Sequence, residues 1–231
     1  MTDSLKTEFR CIALDLPGHG TSIGLPQETY TFEGAARSII QLLDELQIDQ
    51  AALVGYSMGG RLALYLALHH PGRFTGLLLE STSPGLEKEE DRAARRAADE
   101  EKAQRLETED FGEFLQDWYR QPLFVSLACD EAVLQETIKA RKNNDPSELA
   151  KSLRGMGTGS QHSLWRELPE LWVPALAVTG ELDEKFVGIS RRMAASSTRL
   201  KMVVVSGVGH NVRLEAPGAY FTVTQEFMRS L

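Results

Sequence analysis

The chain has 231 residues, of which 42% are hydrophobic, and this suffices for one domain or for a core with a lid. Its 33 acidic and 25 basic residues give a net charge of −8, which argues against nucleic acid or an anionic membrane surface as the main partner. Cys11 and Cys129 lie far apart without metal-ligand spacing, so we expect no disulfide framework. The sequence shows no apolar stretch of signal or membrane-spanning length, which favours a soluble cytoplasmic protein.

The first third of the chain predicts alternating strands and helices. Residues 11–14 are predicted as a short strand, with Asp-Leu-Pro-Gly-His-Gly at 15–20 as the turn after it. Apolar residues at helical spacing predict a helix over 32–46. Apolar runs predict buried strands at 51–55 and 76–80, with a helix between them. This order predicts a parallel, doubly wound α/β sheet.

The middle of the chain differs in character from its two ends. Residues 84–166 lack buried-strand patterns and predict charged amphipathic helices at 86–107, 110–119, 130–142 and 146–154. Sheet patterning then resumes, with strands predicted at 175–179 and 201–205, a helix between them and a last helix from Pro217. We therefore predict a core made of residues 1–83 and 167–231, with residues 84–166 as an inserted helical lid.

A Gly-x-Ser-x-Gly motif lies between the strand at 51–55 and the helix that follows. In this setting, Gly55-Tyr56-Ser57-Met58-Gly59 predicts a nucleophile elbow, a turn so tight that Gly55 and Gly59 must be small. The elbow would lift the Ser57 hydroxyl clear of the sheet. The backbone N–H of Met58, at the helix N-terminus, would face a developing oxyanion. The alternative is a chance occurrence of this motif in a loop.

A serine nucleophile needs a base and an acid that orients the base. His210 follows a predicted strand in a glycine-rich loop, where its ring can reach Ser57. Asp183 occupies the loop after the preceding strand, with Glu181 as the alternative acid. The order Ser57, Asp183, His210 is that of α/β-hydrolases. The remaining histidines are predicted as structural, surface or lid residues: His19, His69, His70 and His162.

Several motifs together resemble one family, the 2-succinyl-6-hydroxy-2,4-cyclohexadiene-1-carboxylate synthases of menaquinone or phylloquinone biosynthesis. The resemblance runs from about residue 10 to the end of the chain. It implies an α/β-hydrolase fold and a lyase whose triad serine removes a proton α to a succinyl ketone, with expulsion of pyruvate. The motifs are Leu-Pro-Gly-His-Gly (16–20), Gly-Tyr-Ser-Met-Gly-Gly-Arg (55–61), Ser-Pro-Gly-Leu (83–86), Asp-Trp-Tyr-Arg-Gln-Pro (117–122), Arg-Lys-Asn-Asn (141–144) and Gly-His-Asn (209–211).

The substrate of that family carries three carboxylates, for which arginine is a suitable permanent cation. Arg61 lies one helical turn after Ser57 and can point into the same cleft. The resemblance further implies substrate-binding roles for Arg95, Arg141, Trp118, Tyr119 and Tyr56. Two alternatives stay open: the lid arginines can be surface ion-pair members, with Arg92 competing with Arg95 for the site, and Tyr56 and Trp118 can be packing residues.

No metal cluster, P-loop or dinucleotide fingerprint occurs in the sequence, so we expect no cofactor. The expected partner is a small polycarboxylate, and we expect the chain to be a monomer. A serine hydrolase of esters or C–C bonds, or a remnant without activity, is the alternative function.

One feature of α/β-hydrolases is not found in the sequence. Their strand between the one at 11–14 and the elbow strand ends in a His-Gly loop that supplies a second oxyanion donor. We expect that Met1 is an internal start or that the gene model is short, and that about thirty further residues complete the protein. Without them we expect low stability or weak activity, since loss of one oxyanion donor costs about a hundredfold to a thousandfold in rate.

Overall fold

A computed structural model of the chain describes residues 5–231. Its centre is a parallel sheet of four strands that lie side by side in the order in which they occur along the chain. The registers place Leu77 beside Ala175, and Ala175 beside Leu200. The predicted parallel α/β sheet is therefore confirmed. The strands are β1 (Ala51–Tyr56), β2 (Phe74–Glu80), β3 (Ala175–Gly180) and β4 (Leu200–Val205).

Helices cover both faces of this sheet. On one face, α2 (Met58–His69) and α7 (Glu184–Ser196) pack against Leu77 and Leu79 of β2. Because successive side chains of a strand point to opposite faces, Leu78 packs on the other side, against residues of α8 (Val212–Glu215) and α9 (Pro217–Arg229). The helix α1 (Phe32–Glu45) also belongs to the core.

Four helices lie between β2 and β3, in the stretch predicted as a lid. Lys88 precedes the first of these helices, and an aspartate precedes each of the other three. These aspartates, Asp110, Asp130 and Asp145, each accept a hydrogen bond from a backbone N–H of the first turn. The longest of the four packs on the last one through Ala103, Leu106 and Ala150. These helices are α3 (Glu89–Thr108), α4 (Phe111–Tyr119), α5 (Glu131–Arg141) and α6 (Pro146–Met156).

The prediction of a strand at residues 11–14 is wrong. These residues adopt no regular structure, and the side chains of Ile12 and Leu14 are 43% and 41% exposed. A strand requires a partner for its N–H and C=O groups, and no strand of residues 5–231 pairs with this segment. The outer edge of β1 is likewise unpaired within the described chain, and Val54 on β1 is 41% exposed. Residues 11–14 and β1 line one cavity.

No helix within residues 5–231 combines the length and the apolar character that crossing a membrane requires.

Candidate active site

Ser57 lies in the sharp turn between β1 and α2. Its backbone has φ = +47° and ψ = −109°, a conformation that few residues other than glycine adopt. The Ser57 N–H donates a 2.9 Å hydrogen bond to the carbonyl of Glu80, which ties the turn to β2. A strained serine at the carboxyl end of a parallel sheet is the geometry of a nucleophile elbow.

Gly55 and Gly60 allow the turn to be this tight, whereas the predicted pair is Gly55 and Gly59. A Cβ atom on Gly55 would lie 2.5 Å from the carbonyl oxygen of Gly59, and one on Gly60 would lie 1.9 Å from Oγ1 of Thr82. A Cβ on Gly59 would meet nothing within 4 Å, so the predicted need for glycine at position 59 is wrong. The close approach involves Gly60 because α2 runs past the end of β2 there.

The side chains of Ser57, His210 and Asp183 lie in a line. Nε2 of His210 is 3.4 Å from Oγ of Ser57, and Nδ1 of His210 is 2.6 Å from Oδ2 of Asp183. Asp183 is the N-cap of α7, and its other oxygen accepts from the N–H of Phe186. The His210 ring is 1% exposed. A buried imidazole between a hydroxyl and a carboxylate can take a proton from the hydroxyl, while the carboxylate stabilises the resulting cation.

Glu181, which is the alternative acid, and the histidines His69 and His19 contact residues outside the Ser57, His210 and Asp183 line. The carboxylate of Glu181 accepts from Oγ of Ser206 and from the N–H of Gly207, and it holds the loop before His210. His69 lies beside Tyr65 and Glu167. His19 also lines the cavity at Ser57, where its ring contacts the carbonyl of Pro17 and where burial lowers its pKa.

Helix α2 begins at Met58, directly after Ser57. The N–H of a first helical residue has no carbonyl partner inside its own helix, and it lies at the positive end of the helix dipole. Met58 therefore presents a free donor beside the Ser57 hydroxyl, in a position to stabilise negative charge on a bound oxygen atom.

A cavity of about 2250 Å³ extends from Ser57 beneath the lid helices to the outer edge of β1. Each of the ten predicted site residues lines it, so the structure brings together residues from both parts of the core and from α3, α4 and α5. Their chemical roles remain predictions. Residues 5–231 contain no group of three or more His, Cys, Asp or Glu side chains arranged to hold a metal ion.

The Arg61 side chain is buried, and it also lines the cavity. Its guanidinium donates to Oε1 of Gln161 at 3.0 Å and to the carbonyl of Met156 at 2.9 Å. Burial, reinforced by the charge of Arg95, lowers the pKa of Arg61 to about 10. Both hydrogen-bond partners of Arg61 are uncharged, so its positive charge stays available to an anion in the cavity.

The structure separates the two competing lid arginines. Arg95 lines the cavity, and its Nε donates to Asp99 at 2.7 Å. Arg92 instead binds the carboxylate of Glu89 and the carbonyls of Leu86 and Glu87, at the start of the lid. Arg95, and not Arg92, therefore faces the site. Arg141 also lines the cavity, from the last turn of α5.

Aromatic rings enclose the imidazole of His210. The ring centroids of Tyr56, Phe124 and Phe186 lie 5.4, 6.1 and 4.7 Å from it. Tyr119 packs on Phe124 at 5.0 Å, and Trp118 packs on Phe124 at 6.4 Å, so the two lid aromatics extend this wall. Burial raises the pKa of Tyr56. Phe124 and Phe186 were not predicted, because a single phenylalanine in a turn or a first helical turn carries no motif.

Comparisons with known proteins identify the family to which this chain belongs. The family profile of the alpha/beta hydrolase fold matches residues 1–217. The 2-succinyl-6-hydroxy-2,4-cyclohexadiene-1-carboxylate synthase of Serratia proteamaculans is 34% identical over 223 residues, which cover 96% of this chain and 84% of that protein. The protein of the same name from Yersinia enterocolitica is also 34% identical, with 96% and 78% covered.

Solved structures give the same result. MenH from S. aureus superposes with a TM-score of 0.89 at 36% identity, over 94% of this chain and 82% of that one. An enol-lactonase from Burkholderia xenovorans superposes with a TM-score of 0.82 over 98% of this chain and 84% of that one, but at 23% identity it shows only a shared fold. The chain is thus an enzyme of the α/β-hydrolase superfamily, and within it the chain belongs to the family of the 2-succinyl-6-hydroxy-2,4-cyclohexadiene-1-carboxylate synthases.

Proposed function

We propose that this enzyme is a lyase that eliminates pyruvate from 2-succinyl-5-enolpyruvyl-6-hydroxy-3-cyclohexene-1-carboxylate, in menaquinone or phylloquinone biosynthesis. The observation that carries the proposal is the line of contacts from Ser57 through His210 to Asp183, in a cavity whose lining includes Arg61, Arg95 and Arg141. The names of the relatives give the product of this elimination, and the side chains supply a reason why the enolpyruvyl substrate would react.

The reaction begins with removal of the proton on the ring carbon that bears the succinyl group. Nε2 of His210 accepts the hydroxyl proton of Ser57 while the Ser57 oxygen takes the carbon-bound proton. The carbon's electron pair forms a new ring double bond, the existing double bond moves one position along, and the bond to the enolpyruvyl oxygen breaks. His210 returns its proton to the leaving group, which becomes pyruvate. No acyl-enzyme forms.

Negative charge develops on the succinyl ketone oxygen as the proton leaves. The N–H of Met58 at the start of α2 is our assigned donor for that oxygen, and the dipole of α2 adds to its effect. Asp183 holds the His210 ring in one orientation and stabilises its charged form.

The three carboxylates of the substrate explain why a proton-transfer site would need several arginines. We assign Arg61, Arg95 and Arg141 to them, because all three line the cavity and arginine binds carboxylate through two parallel hydrogen bonds. Tyr56, Trp118 and Tyr119 would flank the ring. We also propose residues 84–166 as the lid that encloses the substrate.

The test compares pyruvate release by the wild-type protein and by the Ser57→Ala variant. We expect the wild type to release pyruvate and Ser57→Ala to lose at least a hundredfold in kcat. Ser38→Ala is the matched control, because the hydroxyl of Ser38 only donates to a carbonyl within α1. Full turnover by Ser57→Ala would disprove the serine's role. A burst of p-nitrophenol from an ester, without pyruvate release from the enolpyruvyl substrate, would indicate a serine hydrolase instead.

A further inference from the structure

His210 lies in an irregular loop between β4 and α8, and such a loop does not by itself fix a side chain to within a fraction of an ångström. The loop is nevertheless held at one point on each side of the histidine. The N–H of Gly209 donates to Oε2 of Glu215 at 2.8 Å, and the N–H of Asn211 donates to Oε1 of Glu215 at 3.1 Å. One carboxylate therefore binds the backbone N–H groups of both residues that neighbour His210 in the chain.

The backbone of Glu215 also binds the segment after His210. Its N–H donates to the carbonyl of Asn211 at 2.9 Å, and so the first turn of α8 and the loop constrain each other. Both oxygens of the carboxylate are used, each by a different N–H. A charged acceptor makes shorter and stronger bonds than a neutral one, and two such bonds hold the backbone on both sides of His210, at Gly209 and at Asn211.

A second carboxylate continues the same support and reaches the nucleophile. Oε1 of Glu80 accepts from the N–H of Arg213 at 3.0 Å, while the backbone carbonyl of Glu80 accepts from the N–H of Ser57. Ser57 and the segment after His210 are thereby attached to one residue. Of Glu80 and Glu215, only Glu215 is seen to bind the N–H groups of both chain neighbours of His210 with its side chain.

We propose that Glu215 is the positioning residue of His210, and that its carboxylate sets the reach of the imidazole toward Ser57. The proposal rests on the proposed roles of Ser57 and His210, but it does not depend on which substrate they act on. Glu215 lines no part of the cavity and touches no reacting atom, so it acts only through the histidine loop.

The experiment uses Glu215→Gln, which keeps the size of the side chain but replaces one acceptor oxygen with an NH₂ group. One of the two peptide N–H groups then faces a donor, and the loop must shift. We expect kcat for pyruvate release to fall about ten- to a hundredfold, as small misplacements of catalytic groups do, with KM within about twofold of wild type. Glu215→Asp keeps both acceptors on a shorter stem and should lose less.

A second readout reports on the serine directly. A fluorophosphonate phosphonylates Ser57 at a rate that depends on its activation by His210 and does not require the natural substrate. We expect the labelling rate of Glu215→Gln to fall in proportion to kcat. Glu148→Gln is the matched control, because the Glu148 carboxylate likewise accepts from a backbone N–H, that of Gly24, but is not among the residues that line the cavity. Its labelling rate should stay within about twofold of wild type.

Each outcome decides the matter. Unchanged labelling of Glu215→Gln overturns the proposal, as does a loss of equal size in Glu148→Gln. Reduced labelling supports it even if the wild type releases no pyruvate, a result that would refute only the proposed reaction. If Glu215→Gln does not fold, the labelling rate of Glu215→Asp takes its place, and a wild-type rate in that variant overturns the proposal.

Discussion

The guanidinium of Arg61, near the start of α2, donates a hydrogen bond to the carbonyl of Met156, the last residue of α6. A helix C-terminus carries partial negative charge, so the end of a lid helix holds this arginine without a carboxylate in the pair. The core cation and the lid are thus connected directly above the cavity that contains Ser57.

Arg61→Lys tests what this cation does. Lysine keeps the charge but loses the planar fork that can bind a carboxylate and the carbonyl of Met156 together. Hydrogen bonds to charged groups contribute about 1.5–3 kcal/mol, so we expect KM to rise roughly ten- to a hundredfold with a smaller change in kcat. Steady-state pyruvate release measures both constants. Arg37→Lys, at an exposed position of α1, is the control, and an equal effect there would count against a binding role.

Asp183→Asn separates the catalytic role of this residue from its structural one. Asparagine still accepts a hydrogen bond at a helix N-cap, so α7 should begin as before and Tm should change little. It no longer stabilises a charged His210 ring. We expect kcat to fall by about a thousandfold to ten-thousandfold, the size of the loss seen when a triad acid becomes an amide. Asp130→Asn, at the N-cap of α5, is the matched control and should keep wild-type kcat.

The buried carboxyl of Glu80 predicts a pH dependence of stability. Burial raises its pKa to about 7, so between pH 4.5 and 7 the folded state binds a proton that the unfolded state has lost. Stability is therefore greatest below pH 4.5 as far as this group is concerned, and it decreases as pH rises through 7. The shift corresponds to roughly 3 kcal/mol.

Glu80→Gln removes this titration and keeps an acceptor for the N–H of Arg213. Urea unfolding at pH 5 and pH 8 measures the difference in free energy between variant and wild type. We expect the variant to gain stability relative to wild type at the higher pH. An identical difference at both pH values would mean that Glu80 does not titrate in this range.

Gly60→Ala and Gly59→Ala form a matched pair on the elbow. A methyl group at position 60 would collide with Thr82 and with the carbonyl of Gly55, which we expect to cost about 1–3 kcal/mol of unfolding free energy. A methyl group at position 59 meets open space, and because alanine favours a helix we expect an unchanged or higher Tm. Thermal unfolding distinguishes the two, and equal effects would contradict the close approach at Gly60.

Local patterns were enough to predict most of the fold. The apolar spacing of residues 32–46 predicted α1, which ends at Glu45, and the charged amphipathic pattern of residues 84–166 predicted α3 to α6 to within about three residues. The strand at 11–14 was predicted wrongly because an apolar run shows that a segment can be a strand, whereas pairing depends on a neighbour that lies elsewhere in the chain.

Sequence patterns likewise predict some residues of the candidate site and miss others. Ser57, Asp183 and His210 could be predicted as site residues because each lies in a turn or loop after a predicted strand, and parallel strands end at one edge of a sheet. Gln161 and Glu215 could not be nominated. The first meets Arg61 across 100 residues of chain, and the second acts through backbone N–H groups, for which no residue pattern exists.

Within residues 5–231, no strand pairs with the outer edge of β1, and this makes protein concentration a variable in assays of this chain. An open strand with Val54 exposed offers a template on which a second molecule can extend the sheet, and lysine at such a margin opposes this. We expect light scattering to rise and specific activity to fall as the preparation is concentrated, and Val54→Lys to suppress both. Dilute samples, in the low micromolar range or below, are therefore the ones whose rates describe the single molecule.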